Sequence, residues 1–207
     1  MDTSIGHDVR VTSRFRTYLE LVKLRIVLLL IFTTVTAMIV AADGVPDLPT
    51  LLWTIIGGSF ASAGASAINQ YLDRDMDARM SRTARRPIPS GRVEPLNALW
   101  FGIGLVAWSV VILAYFVNWL AAGLSLLGAL YYVIIYTVLL KRNTVVNILI
   151  GGGAGAIPVL VGWAAVTGAL SVEAFILFAI VFYWTPPHSW ALAILVNSDY
   201  ARAHVPM

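Results

Sequence analysis

The chain has no cysteine, which excludes a disulfide framework and any thiol chemistry. Charge is scarce as well, at 12% of 207 residues, about half the share in an average soluble domain, ~25%. The net charge of +3 is small and says little by itself, and no nucleic-acid partner is expected. A cleavable secretory signal is also missing. Asp2 and Asp8 spoil a positively charged leader, and the first apolar run is too long for the core of one. The same acidic residues argue against an organellar transit peptide. A bacterial plasma membrane is the simplest location left.

What is present is apolar sequence: 59% hydrophobic residues and a mean hydropathy of +0.81. The expected fold class is all-α, a polytopic transmembrane helix bundle. Six spans can be drawn, at 26–42, 50–68, 97–117, 119–140, 146–167 and 173–196. Each is near the roughly 20 residues a spanning helix needs. All 14 lysines and arginines fall in the segment up to residue 25, in 69–96, in 141–145 and in the tail after the sixth span. The alternate connections, 43–49, around 118 and 168–172, hold none. By the positive-inside rule this sets a cytoplasmic N-terminus. Residues 1–25 form a cytoplasmic N-terminal segment and 26–207 the transmembrane domain. Phe15, Tyr18, Leu19 and Val22 recur at helical spacing among basic residues, as in a short interfacial helix or an ordinary juxtamembrane anchor.

The sharpest polar feature follows the second span: Asn69-Gln-Tyr-Leu-Asp73-Arg-Asp-Met-Asp77. Asn69, Asp73 and Asp77 stand at i, i+4 and i+8. On a helix they form one column with about 6 Å between steps, and Asp75 falls on the opposite side. Carboxylates are hard ligands that suit Mg²⁺, which takes one or two of them and leaves its other positions to water and phosphate. Arg82, Arg85 and Arg86 follow, and guanidinium groups grip phosphates bidentately. Asn69, Asp73 and Asp77 are therefore the candidate metal-binding residues, and the arginines are candidate diphosphate ligands. Pro87 and Pro89 are expected to end the helix in a stiff extended turn that points Arg85 and Arg86 at the acidic column.

Lys141 and Arg142 close the fourth span, either as dipole and membrane-edge partners or as further phosphate ligands. Gly151-Gly152-Gly153-Ala-Gly155, in an apolar run, suggests close helix packing rather than a phosphate loop, and Pro158 a kink. Within the sixth span, Trp184-Thr-Pro186-Pro187-His188-Ser-Trp190 places two prolines where they are expected to break the helix. His188, just after that break, is a candidate functional histidine. Asp199 emerges on the same side as the acidic column.

These residues resemble the UbiA-type intramembrane prenyltransferases, whose first signature is Asn-x3-Asp-x3-Asp. The resemblance runs from about Leu21 to Met207. The Lys141-Arg142-Asn-Thr-Val-Val-Asn147 and Trp184-Thr-Pro-Pro-His188-Ser-Trp190 stretches are similar to the branch of the family that farnesylates haem. The resemblance implies transfer of a farnesyl group from farnesyl diphosphate to a vinyl carbon of haem b, dependent on Mg²⁺. It implies catalytic or metal roles for Asn69, Asp73 and Asp77, and diphosphate binding by Arg82, Arg85, Arg86, Lys141 and Arg142. His188, Trp184, Trp190 and Asp199 would line the acceptor pocket. Haem A synthase or a terminal-oxidase assembly would be partners. About nine spans are implied, so six read as part of a longer chain. Asp199 is followed four residues on by Ala203, so the second Asp-x3-Asp pair of quinone-type relatives is incomplete. Leu24 and His204 stand where the branch often has proline and glycine. The rival functions are a prenyltransferase with an aromatic quinone-precursor acceptor, and a transporter built on the broken sixth helix.

Overall fold

In the computed structural model, residues 14–144 and 146–195 are described, and among them there is no strand. The chain runs α1 (Arg14–Leu21), α2 (Leu24–Ala41), α3 (Leu48–Leu72), α4 (Arg74–Asp77), α5 (Pro95–Phe116), α6 (Trp119–Leu130), a π-helical segment (Tyr131–Leu140), α7 (Asn147–Thr167) and α8 (Val172–Leu195). Five helical stretches among the described residues are long and apolar enough to cross a membrane: α2, α3, α5, α6 with the π-segment, and α7. The sixth expected span is α8, whose 24 residues amount to about 36 Å of helix.

Local chemistry sets the helix ends. The Asp47 carboxylate accepts from the Thr50 amide at 3.0 Å and caps α3, which holds its carboxyl below the usual range. Asn118 caps α6 through the Ala121 amide at 2.8 Å, and its side-chain amide donates to the Ala164 carbonyl of α7 at 2.8 Å. Proline stands in the first turn of α3 and of α5, where its missing N–H costs nothing.

Helix α7 is the central element. It packs on α2, α3, α6, the π-segment and α8. Residues 159–165 are all buried, as only a helix surrounded by others allows. Backbones approach closely at glycines, as in bundles that lipid cannot drive together hydrophobically. A Cβ on Gly64 would stand 2.5 Å from the Gly102 carbonyl of α5, and one on Gly162 would strike the Thr34 carbonyl of α2. The glycine-rich start of α7 is likewise a packing device, with Tyr136, Thr185 and Tyr131 seated over Gly151, Gly152 and Gly153. Large apolar residues such as Phe32, Trp100, Trp108 and Ile180 face outward, where lipid is the solvent.

Two expectations are corrected. Helix α8 continues through Pro186 and Pro187. The prolines remove two backbone donors, but Pro186 is buried and the helix lies against α7. The Thr185 hydroxyl adds a bond to the Val181 carbonyl at 2.8 Å. Packing thus holds a helix that local preference would break. The Pro87–Pro89 stretch is a series of tight turns instead of an extended one. Arg86 N to Thr83 O, Ser90 N to Arg86 O and Val93 N to Pro87 O are 2.9, 3.0 and 3.1 Å. The fourth span keeps its expected bounds, and its second half, residues 131–140, is π-helical.

Contacts bring the start of α2, the α3–α4 junction and the end of the π-segment together at one end of the bundle. The connections 42–47 and 168–171 therefore lie at the other. Val45 is fully in the open and Asn143 is exposed. Cysteines introduced as Val45→Cys and Asn143→Cys are expected to react with an impermeant maleimide from opposite sides of sealed vesicles. Labelling of both from one side contradicts the arrangement.

Candidate active site

Asn69 lies in the last turn of α3, Asp73 at the junction and Asp77 at the end of α4. The backbone bonds Asp73 N to Asn69 O, 2.9 Å, and Asp77 N to Asp73 O, 2.7 Å, keep the three in column across the junction. All three are buried, at 1%, 0% and 1% exposure, whereas Asp75 on the opposite side is out in solvent. Buried carboxylates demand partners. Lys141 Nζ lies 2.5 Å from Asp73 Oδ2, and Arg86 Nη1 lies 2.7 Å from Asp77 Oδ2.

Asn69 is the hub. Its side-chain amide donates to Asp73 Oδ2 at 2.8 Å and to Thr137 Oγ1 at 3.1 Å, and its Oδ1 accepts from Lys23 Nζ at 2.7 Å. Asn69 thus orients Asp73, and its own oxygen is engaged. Thr137 donates in turn to the Tyr132 carbonyl five residues back, at 2.9 Å. The wider π winding puts Thr137 and Lys141 on the acidic column while Tyr132 and Tyr136 face the cavity. π-turns recur at functional sites for this reason.

Lys23 is the residue that sequence reasoning passed over, counting it only as a topology-setting charge. It precedes α2 in a left-handed conformation (φ 51°). The residue as a whole is partly exposed, but its ammonium is enclosed. Burial first, then the Arg86 and Lys141 charges, bring it down to about 7. The signal that could have found it is the pairing of a lysine with the first turn of a span at the same membrane face as the acidic column.

Of the other expected cations, Arg142 forms a two-pronged pair with Asp75 at 2.7 and 2.8 Å and donates to the Leu72 carbonyl at 2.9 Å. That bond holds the Asp75 carboxyl down at about 2. Arg82 and Arg85 are exposed, while Arg86 pairs with Asp77.

Two adjoining apolar cavities open beside this cluster. The smaller, about 160 Å³, lies between α2, α3, α6 and α7, and the larger, about 330 Å³, between α2, the π-segment, α7 and α8. Ile26, Leu30, Tyr132 and Ala154 line both. Lys141 Nζ stands 5.9 Å from the centre of the Tyr136 ring, which walls the larger one. The wall contributed by α8 is Thr185 and Ser189. His188 stacks on Trp184 at 4.4 Å, and both are exposed, as is Trp190. The structure therefore does not bring these three into the cavity, because their helix turns Thr185 and Ser189 inward instead. Asp199 lies outside the described residues.

A metal fits the column on one observation: Asp73 Oδ1 is buried with no hydrogen-bond partner. An orphaned carboxylate oxygen is costly unless something binds it. Among the described residues no group of three acidic, histidine or cysteine side chains converges. Mg²⁺ commonly takes one or two carboxylates and leaves its other positions to water and phosphate.

Fold and site together define a class: a multi-pass α-helical membrane protein with carboxylates buried under cations beside an apolar cavity. Residues 30–207 match the UbiA prenyltransferase family, and the chain belongs to it. It is 56% identical over 195 residues to a protoheme IX farnesyltransferase of Roseiflexus sp. (strain RS-1), covering 94% of this chain and 36% of that one. It is 49% identical to the Streptomyces coelicolor protein of the same name, covering 94% and 62%. The chain thus spans between about a third and three fifths of these relatives' length. A UbiA homologue from Archaeoglobus fulgidus, solved with DMAPP and Mg²⁺, shares the fold with a TM-score of 0.68 at 18% identity, over 92% of this chain and 67% of that one. A digeranylgeranylglyceryl phosphate synthase gives 0.71 at 22% identity, over 81% and 58%.

Proposed function

We propose that the chain is the prenyl-diphosphate-activating part of a haem farnesyltransferase in a bacterial plasma membrane, with its N-terminus and acidic column cytoplasmic. The observation that carries it is the buried Asn69–Asp73–Asp77 column, with one carboxylate oxygen lacking a hydrogen-bond partner, ringed by Lys23, Arg86 and Lys141 at an apolar cavity. Asp73 and Asp77 would hold Mg²⁺. The ion, when bound, supplies positive charge to the diphosphate oxygens. Arg86, Lys141 and Lys23 already lie on the column, and a diphosphate takes over their charge as it binds. They then stabilise the leaving group as the allylic C–O bond breaks and the diphosphate departs with the electron pair. The cavity beside Tyr132 and Tyr136 keeps water from the allylic carbon until it bonds to a vinyl carbon of haem b. That bond leaves a cation on the other vinyl carbon, where water then adds and releases a proton to solvent. The haem acceptor rests on the relatives' identity, since His188 faces away from the cavity.

The test follows diphosphate release from farnesyl diphosphate in membranes carrying the protein. Release with haem b and Mg²⁺, and none with an aromatic quinone precursor, is expected. Release with the aromatic acceptor alone would make the chain a quinone-type enzyme. No release with either would overturn the prenyltransferase function.

A further inference from the structure

Asp73 Oδ1 has no hydrogen-bond partner although a guanidinium is close by. Arg142 Nη2 stands 3.7 Å away, within ion-pair range but beyond a hydrogen bond. The same nitrogen is 2.7 Å from Asp75 Oδ1 and 2.9 Å from the Leu72 carbonyl, while Nη1 is 2.8 Å from Asp75 Oδ2. Asp75 and Arg142 are 54% and 39% exposed. A pair so exposed adds little to stability. Its effect is geometric. Both prongs of the guanidinium are spent on Asp75, so the guanidinium does not close to hydrogen-bond distance on Asp73 Oδ1.

We propose that Asp75 is a positioning residue that acts through Arg142: it restrains the guanidinium and keeps Asp73 Oδ1 open for the metal. This rests on the metal role of Asp73 given above. Without the Asp75 carboxylate, a small rotation brings Nη2 onto Oδ1, where an arginine and a divalent ion compete for one site. Asp75 touches neither metal nor substrate in this account. It faces away from the column, and its side-chain partner is Arg142.

The experiment measures Mn²⁺ binding by electron paramagnetic resonance, with inorganic diphosphate present, in the full chain held in nanodiscs. Asp75→Asn is expected to weaken Mn²⁺ by about 10–100-fold, the usual cost of removing a group that orients a metal ligand. Adding Arg142→Gln to Asp75→Asn removes the competitor and is expected to restore most of the affinity. A purely structural role for Asp75 would leave the double variant as weak as the single one, and that result overturns the proposal. Unchanged binding in Asp75→Asn also overturns it. Melting curves identify unfolding; if Asp75→Asn unfolds, Asp75→Ser replaces it and the same two outcomes decide. Parent protein whose Mn²⁺ binding is unaffected by Asp73→Asn overturns the metal site itself, and this inference with it.

Discussion

Asp73→Asn and Asp77→Asn are each expected to slow prenyl transfer at least about a hundredfold, or ~2.7 kcal/mol of barrier. An amide fills the same space and still accepts a hydrogen bond from Lys141 or Arg86, so the column's packing survives. It cannot hold a divalent ion against a diphosphate, and it leaves the rim cations without their counter-charge. Single-turnover rates with farnesyl diphosphate, beside melting curves showing each variant folded, make the measurement. A folded variant retaining more than about a tenth of the parent rate, a loss under ~1.4 kcal/mol, would remove the metal role.

The second large effect concerns the fold. Gly162→Val places a branched side chain against the Thr34 carbonyl, at the crossing of α7 with α2. Neither backbone can yield without parting helices that wall both cavities, so a loss of about 3 kcal/mol or more is expected. Gly123, in α6, meets nothing within 4 Å of an added Cβ. Gly123→Ala should therefore be neutral or slightly stabilising, by up to about 1 kcal/mol from helix propensity. Thermal melting in detergent compares the two. Equal melting temperatures for Gly162→Val and the parent would show that the crossing is not closely packed.

The spans were legible because lipid imposes a simple demand, some 20 apolar residues per crossing. The structure places its helices within a few residues of those segments. The acidic column was legible because a four-residue period survives the α3–α4 junction through two backbone bonds. What the sequence hid depends on partners far along the chain. Lys23 meets Asn69 across 46 residues, and Lys141 meets Asp73 across 68. The π winding that aligns Thr137 with Asn69 has no composition signal. Local rules misjudged α8, since they priced two prolines without the helix packed behind them. His188 and Trp184, which the resemblance puts in an acceptor pocket, stack on each other on the exposed side of the continuous helix. Arg85 and Arg86 looked equivalent. Tight turns after Met80 separate them, sending one to Asp77 and the other to solvent.

The most direct measurement of the central claim is a structure of the protein with Mg²⁺ and a farnesyl thiolodiphosphate, whose C–S bond resists cleavage. The account predicts the ion on Asp73 and Asp77 and the diphosphate against Arg86, Lys141 and Lys23. The prenyl chain should enter the cavity beside Ile26 and Tyr132. A diphosphate bound elsewhere, with Lys141 and Arg86 still paired to their carboxylates and no ion between them, would contradict it.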